Sequence, residues 1–182
     1  MKDKEIELKF RITTTQKEAI LEHIKPITNH TKTSRMVDTY YIPNFKEFEI
    51  DGRTIECVRI RETNNSAVLC YKQIHYEATP IYCDEYETKI DSKDQMEKIL
   101  FALGFTVQMV IDKTRDSYHN NQFEFDFDSV VGLGELMEIE LKDNNGNIDD
   151  IYNIVKPFGL TKDDVTYEGI QLMMKKAMNT KN

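Results

Sequence analysis

Cysteine is scarce in this sequence, and none of it sits in a metal-knuckle spacing. Cys57, Cys70 and Cys83 are the three present. Without a C-x-x-C pair a zinc knuckle is disfavoured, and an odd, widely spaced set reads as reduced thiols of a cytosolic protein. No apolar h-region follows Met1–Glu5, so no secretory signal is expected. No apolar run approaches the roughly 18 residues that a membrane span requires. The expected setting is therefore soluble and cytoplasmic, with no membrane partner. An excess of positive charge is also missing. Lys and Arg number 24 against 32 Asp and Glu, giving a net charge of −8 and a pI near 5.1. That is the wrong sign for a general duplex nucleic-acid binder, although it leaves room for a local basic pocket.

Several catalytic signatures are absent as well. There is no G-x-x-x-x-G-K-[ST] loop and no Ser-His-Asp order. His23, His30, His75 and His119 are scattered over a helix, loops and turns and read as ordinary surface histidines. Gly132-Leu133-Gly134 lacks the strand-to-helix setting of a dinucleotide site and reads as backbone geometry. Any phosphate binding must rest on side chains.

What is present is a chain of 182 residues, 40% hydrophobic and 31% charged, rich in Tyr, Phe, Ile and Val. That composition suits one domain spanning residues 1–182, with a buried core. Helices are expected over 14–25, stopped by Pro26, and over 92–103, with Ser92 and Gln95 in capping-box spacing and Gly104 at the end. A short helix is expected over 149–156, and a long one over 162–178 with Thr161 as N-cap. Period-two alternation predicts strands over 4–12, 35–42, 54–62, 66–74, 81–90, 107–118, 122–129 and 135–142. Asn64-Asn65 and Asn120-Asn121 read as hairpin turns because Asn tolerates positive φ; 43–53 reads as a loop and 143–147 as a turn. Eight strands joined mostly by hairpins make an antiparallel α+β protein.

The parity of these strands segregates charge by type. Glu5, Glu7, Lys9 and Arg11 share one face of the first strand, opposite Ile6, Leu8, Phe10 and Ile12. Arg59 and Arg61, Lys72, Glu85 with Glu87, Lys113 with Arg115, Asp126 with Asp128, and Glu138 with Glu140 repeat the pattern. A merely solvated face accounts for alternation, but like charges side by side repel and gain nothing in water. A site for a polyanion and its divalent metals does gain from them, because Arg and Lys bind phosphate oxygens and paired carboxylates bind hard cations.

Glu5-Ile6-Glu7-Leu8-Lys9 resembles the N-terminal E-x-E-x-K signature of the CYTH proteins, the triphosphate tunnel metalloenzymes. The resemblance continues through Asp38-Thr39-Tyr40-Tyr41, Val58-Arg59-Ile60-Arg61, Lys72, Glu85-Tyr86-Glu87, Lys113 with Arg115, Asp128 before the G-L-G, and Glu138-Ile139-Glu140, in the family's order. It implies a closed antiparallel eight-stranded β-barrel with helices packed outside and the charged faces turned into a tunnel. It further implies that Glu5, Glu7, Glu138 and Glu140 hold Mg²⁺ or Mn²⁺, with Asp128 and Glu87 in support. Lys9, Arg11, Arg59, Arg61, Lys72, Lys113 and Arg115 would cradle the phosphates, and Lys9, Lys72, Glu87 and Asp128 would serve catalysis.

Within the family the chain looks most like the small CyaB-like group labelled class IV adenylyl cyclases, which turn ATP into cyclic AMP and pyrophosphate. Other branches hydrolyse tripolyphosphate, thiamine triphosphate, nucleoside triphosphates or RNA 5′-triphosphates. The shared motifs identify the triphosphate and the metal, and leave the organic group open. A competing expectation is a barrel that binds polyphosphate or a nucleotide without turnover; metal dependence separates the two. Tyr167 reads either as a cover for one tunnel mouth or as a core or interface aromatic. A barrel with external helices can also form a homodimer.

Overall fold

The computed structural model describes residues 4–78, 81–142 and 146–179. Its strands are β1 (Lys4–Glu5), β2 (Glu7–Ile12), β3 (Asn29–Pro43), β4 (Glu49–Ile50), β5 (Arg53–Thr54), β6 (Glu56–Thr63), β7 (Ser66–His75), β8 (Tyr82–Ile90), β9 (Phe105–His119), β10 (Phe123–Val130) and β11 (Gly134–Leu141). Its α-helices are α1 (Thr14–Ile24), α2 (Lys93–Ala102), α3 (Ile148–Val155) and α4 (Ile170–Asn179). None of these helices is long and apolar enough to cross a membrane.

The main sheet is antiparallel throughout, in the order β1-β8-β7-β6-β3-β9-β10-β11-β2. Its two ends, β1 and β2, are pieces of one N-terminal strand broken at Ile6, so eight strand segments curl round toward each other. The closed barrel implied by the resemblance is met only in part. The N-terminal segment contacts β8 through two residue pairs, Lys4–Asp84 and Glu5–Cys83, and from Glu7 onward it pairs with β11 instead. The result is a curled half-barrel with helices outside, not a ring sealed by one continuous ladder.

Alternation decides which face is which. Ile6, Leu8, Phe10 and Ile12 are buried on the outer face with Phe123, Phe125, Phe127, Met137, Ile139 and Leu141, under Ile20 and Ile24 of α1 and Ile151 and Val155 of α3. Leu100 of α2 covers Tyr41, Val58 and Ile60 in the same manner. Each such side chain contributes about 1.5–3 kcal/mol by leaving water. The charged parity is thereby turned inward.

A third cluster lies on the inner side at one end. Tyr40, Ile111, Val130 and Leu136 occupy inward positions and pack against Ile170, Met173 and Met174 of α4. The last helix therefore stops that end of the hollow. The single helix expected over 162–178 is not formed. Lys162–Asp164 is one 3₁₀ turn, capped by Thr161 as expected, and the helix begins only at Ile170. Between them Val165 pairs with Phe10, and Thr166 N–H donates to the Lys9 carbonyl at 2.8 Å. The free edge of β2 offers backbone partners that outweigh local helix preference.

Three smaller expectations change. The stretch 43–53 contains the β4–β5 hairpin, turned by Asp51 and Gly52 at φ 50° and 74°. Asp-Gly is a strong hairpin signal of this kind. Asn64-Asn65 and Asn120-Asn121 do turn hairpins, yet Asp51 is the only non-glycine residue with positive φ among those described. Asn120 works through its side chain, whose Oδ1 accepts from the Gln122 and Phe123 N–H groups at 2.9 and 2.8 Å. In α2 only half of the capping box forms: Ser92 accepts from Gln95 N–H at 3.3 Å. Residues 143–145 of the expected 143–147 turn lie outside the described residues.

Candidate active site

The inner faces of the sheet enclose a cavity of about 380 Å³. Glu5, Glu7 and Lys9 reach it from the N-terminal strand, Arg59 and Arg61 from β6, and Lys72 from β7. Glu87 comes from β8, Lys113 and Arg115 from β9, and Glu138 and Glu140 from β11. All four histidines lie outside its lining. Two residues expected there are placed elsewhere. Asp128 is buried in the wall behind Lys113 and Arg115. Arg11 is exposed and reaches the Leu133 carbonyl at 3.5 Å. It pairs in register with Leu136, where Met173 and Met174 already fill the interior, so its charge turns out to water.

The charges form two connected networks. On β9, β10, β11 and β2, Arg115 binds Asp128 through Nε and Nη2 at 2.7 and 2.6 Å, Glu138 at 2.6 Å, and Asp126. Lys9 meets Glu138 at 3.0 Å, and Lys113 meets Asp128 at 2.6 Å. Burial alone would raise Glu138, but Lys9 and Arg115 hold it well below the usual carboxylate range. Burial and the neighbouring Arg115 push Lys113 down to about 8, against the pull of Asp128.

On β3, β6, β7, β8 and β1, Arg61 grips buried Asp38 with two bonds of 2.8 Å. Burial would raise Asp38, but the guanidinium holds it far below the usual range. Lys72 bridges Glu5 and Glu85 at 2.9 and 3.0 Å. Burial, opposed by Lys72 and reinforced by the Glu85 contact, pushes Glu5 up to about 8, while at Glu85 burial is outweighed by Lys72, which holds that carboxylate well below its ordinary value. Arg59 stands 3.5 Å from both Glu85 and Glu87, and its buried Nε has no hydrogen-bond partner among the described residues.

The four carboxylates expected to hold metal all line the cavity, and they are an all-oxygen donor set suited to a hard divalent cation. Glu7 and Glu140 are directly opposed across β2 and β11, an arrangement that like charges disfavour without a cation nearby. Glu5 and Glu138 are drawn apart by Lys72, Lys9 and Arg115. A tighter group is Cys70, Glu85 and Glu87, whose ligand atoms lie within 4.8 Å of one another. Burial and Glu85 push the Cys70 thiol far above its ordinary value, against the pull of Arg59, so it is held protonated and is a poor ligand there.

Sequence parity alone left Asp38, Glu85 and Asp126 without assigned roles, although each shares a face with a named residue. Gln171 and Thr54, which also line the cavity, carry no sequence signal. Tyr167 lies ahead of α4 on the cavity wall, 42% exposed, with its carbonyl accepting from Tyr76 Oη at 2.9 Å.

The chain is similar to known proteins over most of its length. A protein of Methanocaldococcus jannaschii, provisionally named an adenylate cyclase, is 25% identical over 166 residues, covering 88% of this chain and 93% of its own. A solved structure from Pyrococcus horikoshii superposes with a TM-score of 0.77 at 23% identity, over 93% of this chain and 99% of its own. A Hippeastrum protein, described as an adenylyl cyclase candidate that reveals a dominant triphosphatase activity, superposes with a TM-score of 0.64 at 16% identity, over 91% and 90%. The CYTH domain pattern matches residues 3–162, and the chain therefore belongs to the CYTH family.

Proposed function

We propose that the protein is a divalent-metal-dependent enzyme acting on a triphosphate in this hollow, and most specifically a class IV adenylyl cyclase that converts ATP to cyclic AMP and pyrophosphate. The observation that carries the reading is Arg59. It is a half-buried cation on the cavity wall whose buried Nε has no partner among the described residues and whose carboxylate neighbours stand off at 3.5 Å, so bonding capacity is left for an anion. Lys72, which shares Glu85 with it, and Lys9 line the same cavity in partly exposed ion pairs that phosphate oxygens can replace. Arg61, Lys113 and Arg115 remain tied to buried acids and supply positive potential.

Glu5, Glu7, Glu138 and Glu140 are the residues that would hold Mg²⁺ or Mn²⁺, with Glu87 and Asp128 in support. Such an ion neutralises charge on phosphate oxygens as a Lewis acid. The chain's own part is to bind and align the triphosphate, since phosphoryl chemistry is mostly positioning and charge stabilisation. In the cyclase reaction the ribose 3′-hydroxyl loses its proton to water as its oxygen bonds to the α-phosphorus, and the bond from that phosphorus to the bridging oxygen breaks, releasing pyrophosphate. The provisional name of the Methanocaldococcus relative favours this reaction, and three unpaired thiols favour a cytoplasmic setting.

A second reading is hydrolysis of the γ-phosphate of tripolyphosphate or a nucleoside or thiamine triphosphate. The activity stated for the Hippeastrum neighbour favours it. The test is incubation with ATP, tripolyphosphate and thiamine triphosphate separately, with Mg²⁺ or Mn²⁺, and chromatography of the products. Cyclic AMP with pyrophosphate supports the cyclase. Orthophosphate from tripolyphosphate, with ATP untouched, supports the hydrolase. Tight binding without metal and without any product would leave a non-catalytic binder.

A further inference from the structure

We infer that one side of the cavity takes the organic end of the triphosphate, that this end is a nucleobase presenting a hydrogen-bond donor beside an acceptor, and that Gln171 reads its edge. The inference rests on the triphosphate reading above. It begins with a change in the wall. Lys72 and Glu85 face each other across β7 and β8, and the next inward pair on that face is Ile74 and Cys83, about 7 Å further along the strands. There Ile74, Ile81 and Tyr167 join the lining beside Glu5, which pairs with Cys83, so the wall turns more apolar. Apolar and aromatic walls with a few placed polar groups are what an organic ligand requires.

Two polar groups complete that side. Gln171 is only 4% exposed, yet its side chain lines the cavity. The one hydrogen bond of its amide among the described residues is a long one, Nε2 donating to Thr54 Oγ1 at 3.4 Å. A nearly buried amide with so little bonding has donor and acceptor capacity to spare. Residue 169 makes room for it, since a Cβ there would stand 2.5 Å from Gln171 Oε1, and the residue is glycine. Tyr76 fixes the surroundings by donating one hydroxyl to the carbonyls of both Thr54 and Tyr167, at 2.9 Å each. A primary amide offers N–H beside C=O, the complement of the amino and ring-nitrogen edge of adenine. Guanine presents the opposite order on its Watson–Crick side.

The test compares dissociation constants for ATP, GTP and tripolyphosphate, measured by calorimetry without added metal, in the wild-type protein and in Gln171→Ala and Gln171→Glu. In Gln171→Ala the affinity for ATP relative to tripolyphosphate should fall about 10-fold to 100-fold. In Gln171→Glu, which loses the donor, the ATP to GTP preference should shrink or invert. Tripolyphosphate affinity serves as the internal check that each variant is folded. Unchanged ATP to tripolyphosphate and ATP to GTP ratios in both variants would overturn the inference while leaving the triphosphate site standing. A wild-type protein that binds none of the three, either without metal or with Mg²⁺ added, would overturn that site and this inference together.

Discussion

Lys113 and Asp128 meet at 2.6 Å from neighbouring strands, each side chain 1% exposed, in the wall behind the charged cavity. Two ions so deeply buried depend on each other, because an uncompensated charge in that place costs several kcal/mol. Asp128→Asn should therefore lose about 3–5 kcal/mol at pH 7 by urea unfolding. The loss should shrink near pH 9, where Lys113, already pushed down to about 8, releases its proton and no longer needs a counter-ion. An equal loss at both pH values would mean that Asp128 acts as counter-ion to Arg115, which keeps its charge, and not to Lys113.

Arg59 and Arg61 sit two residues apart on one face of β6, but their variants should behave differently. Arg61→Ala strands Asp38 in the core without its two bonds, so unfolding free energy should drop by about 3–5 kcal/mol. Arg59 stands 3.5 Å from Glu85 and Glu87, and Glu85 keeps Lys72 as a partner, so compared with Arg61→Ala, Arg59→Ala should cost less stability. Its effect should fall on binding: a lost charge-assisted hydrogen bond of about 1.5–3 kcal/mol weakens tripolyphosphate about 10-fold to 150-fold by calorimetry. Full affinity in Arg59→Ala would remove the central support for the triphosphate reading.

Glu138→Ala and Glu140→Ala should each abolish turnover at limiting Mg²⁺ or Mn²⁺ while the far-ultraviolet circular dichroism stays that of the folded chain. Retained turnover in both variants, measured over a metal titration, would remove these residues from the metal assignment.

Stability of the metal-free protein should fall as pH rises from 5 to 8. Burial pushes Glu5 up from 4.5 to about 8. Between those values the folded chain holds a proton that the unfolded chain has released, so this group's contribution to stability falls as pH rises. Lys113, pushed down to about 8, works the other way only above that value, where the thiols of Cys57, Cys70 and Cys83, raised by burial, oppose it. Urea midpoints from pH 5 to 8 should trace the fall, and Glu5→Gln should flatten it.

Much of this was legible from alternation. Ile6 to Ile12 and Phe123 to Phe127 could satisfy their apolar parity only by turning inward-facing charges toward one another. Arg11 shares the parity of Lys9, yet its level is where α4, Ile170–Asn179, fills the interior, and no local pattern reveals a helix packed from so far along the chain. The same long-range effect hid the extended run at Val165 and Thr166, whose neighbours favour helix but whose backbone finds Lys9 and Phe10. Gln171 was illegible for a related reason: a glutamine in a helical stretch reads as surface until Gly169 and Thr54 are seen to enclose it.

The pairing of Lys9 with Thr166 also sets an order on how the protein is made. The N-terminal strand leaves the ribosome well before its partner in β11 and its cover at Thr166. Contacts so distant in sequence form slowly, because the intervening chain must be ordered before they can close. Until Thr166 has emerged, the nascent sheet stays open with its glutamates, lysines and arginines in water. Those charged faces stay solvated while the sheet is open, so the cost of taking them out of water falls only at the step that closes the hollow.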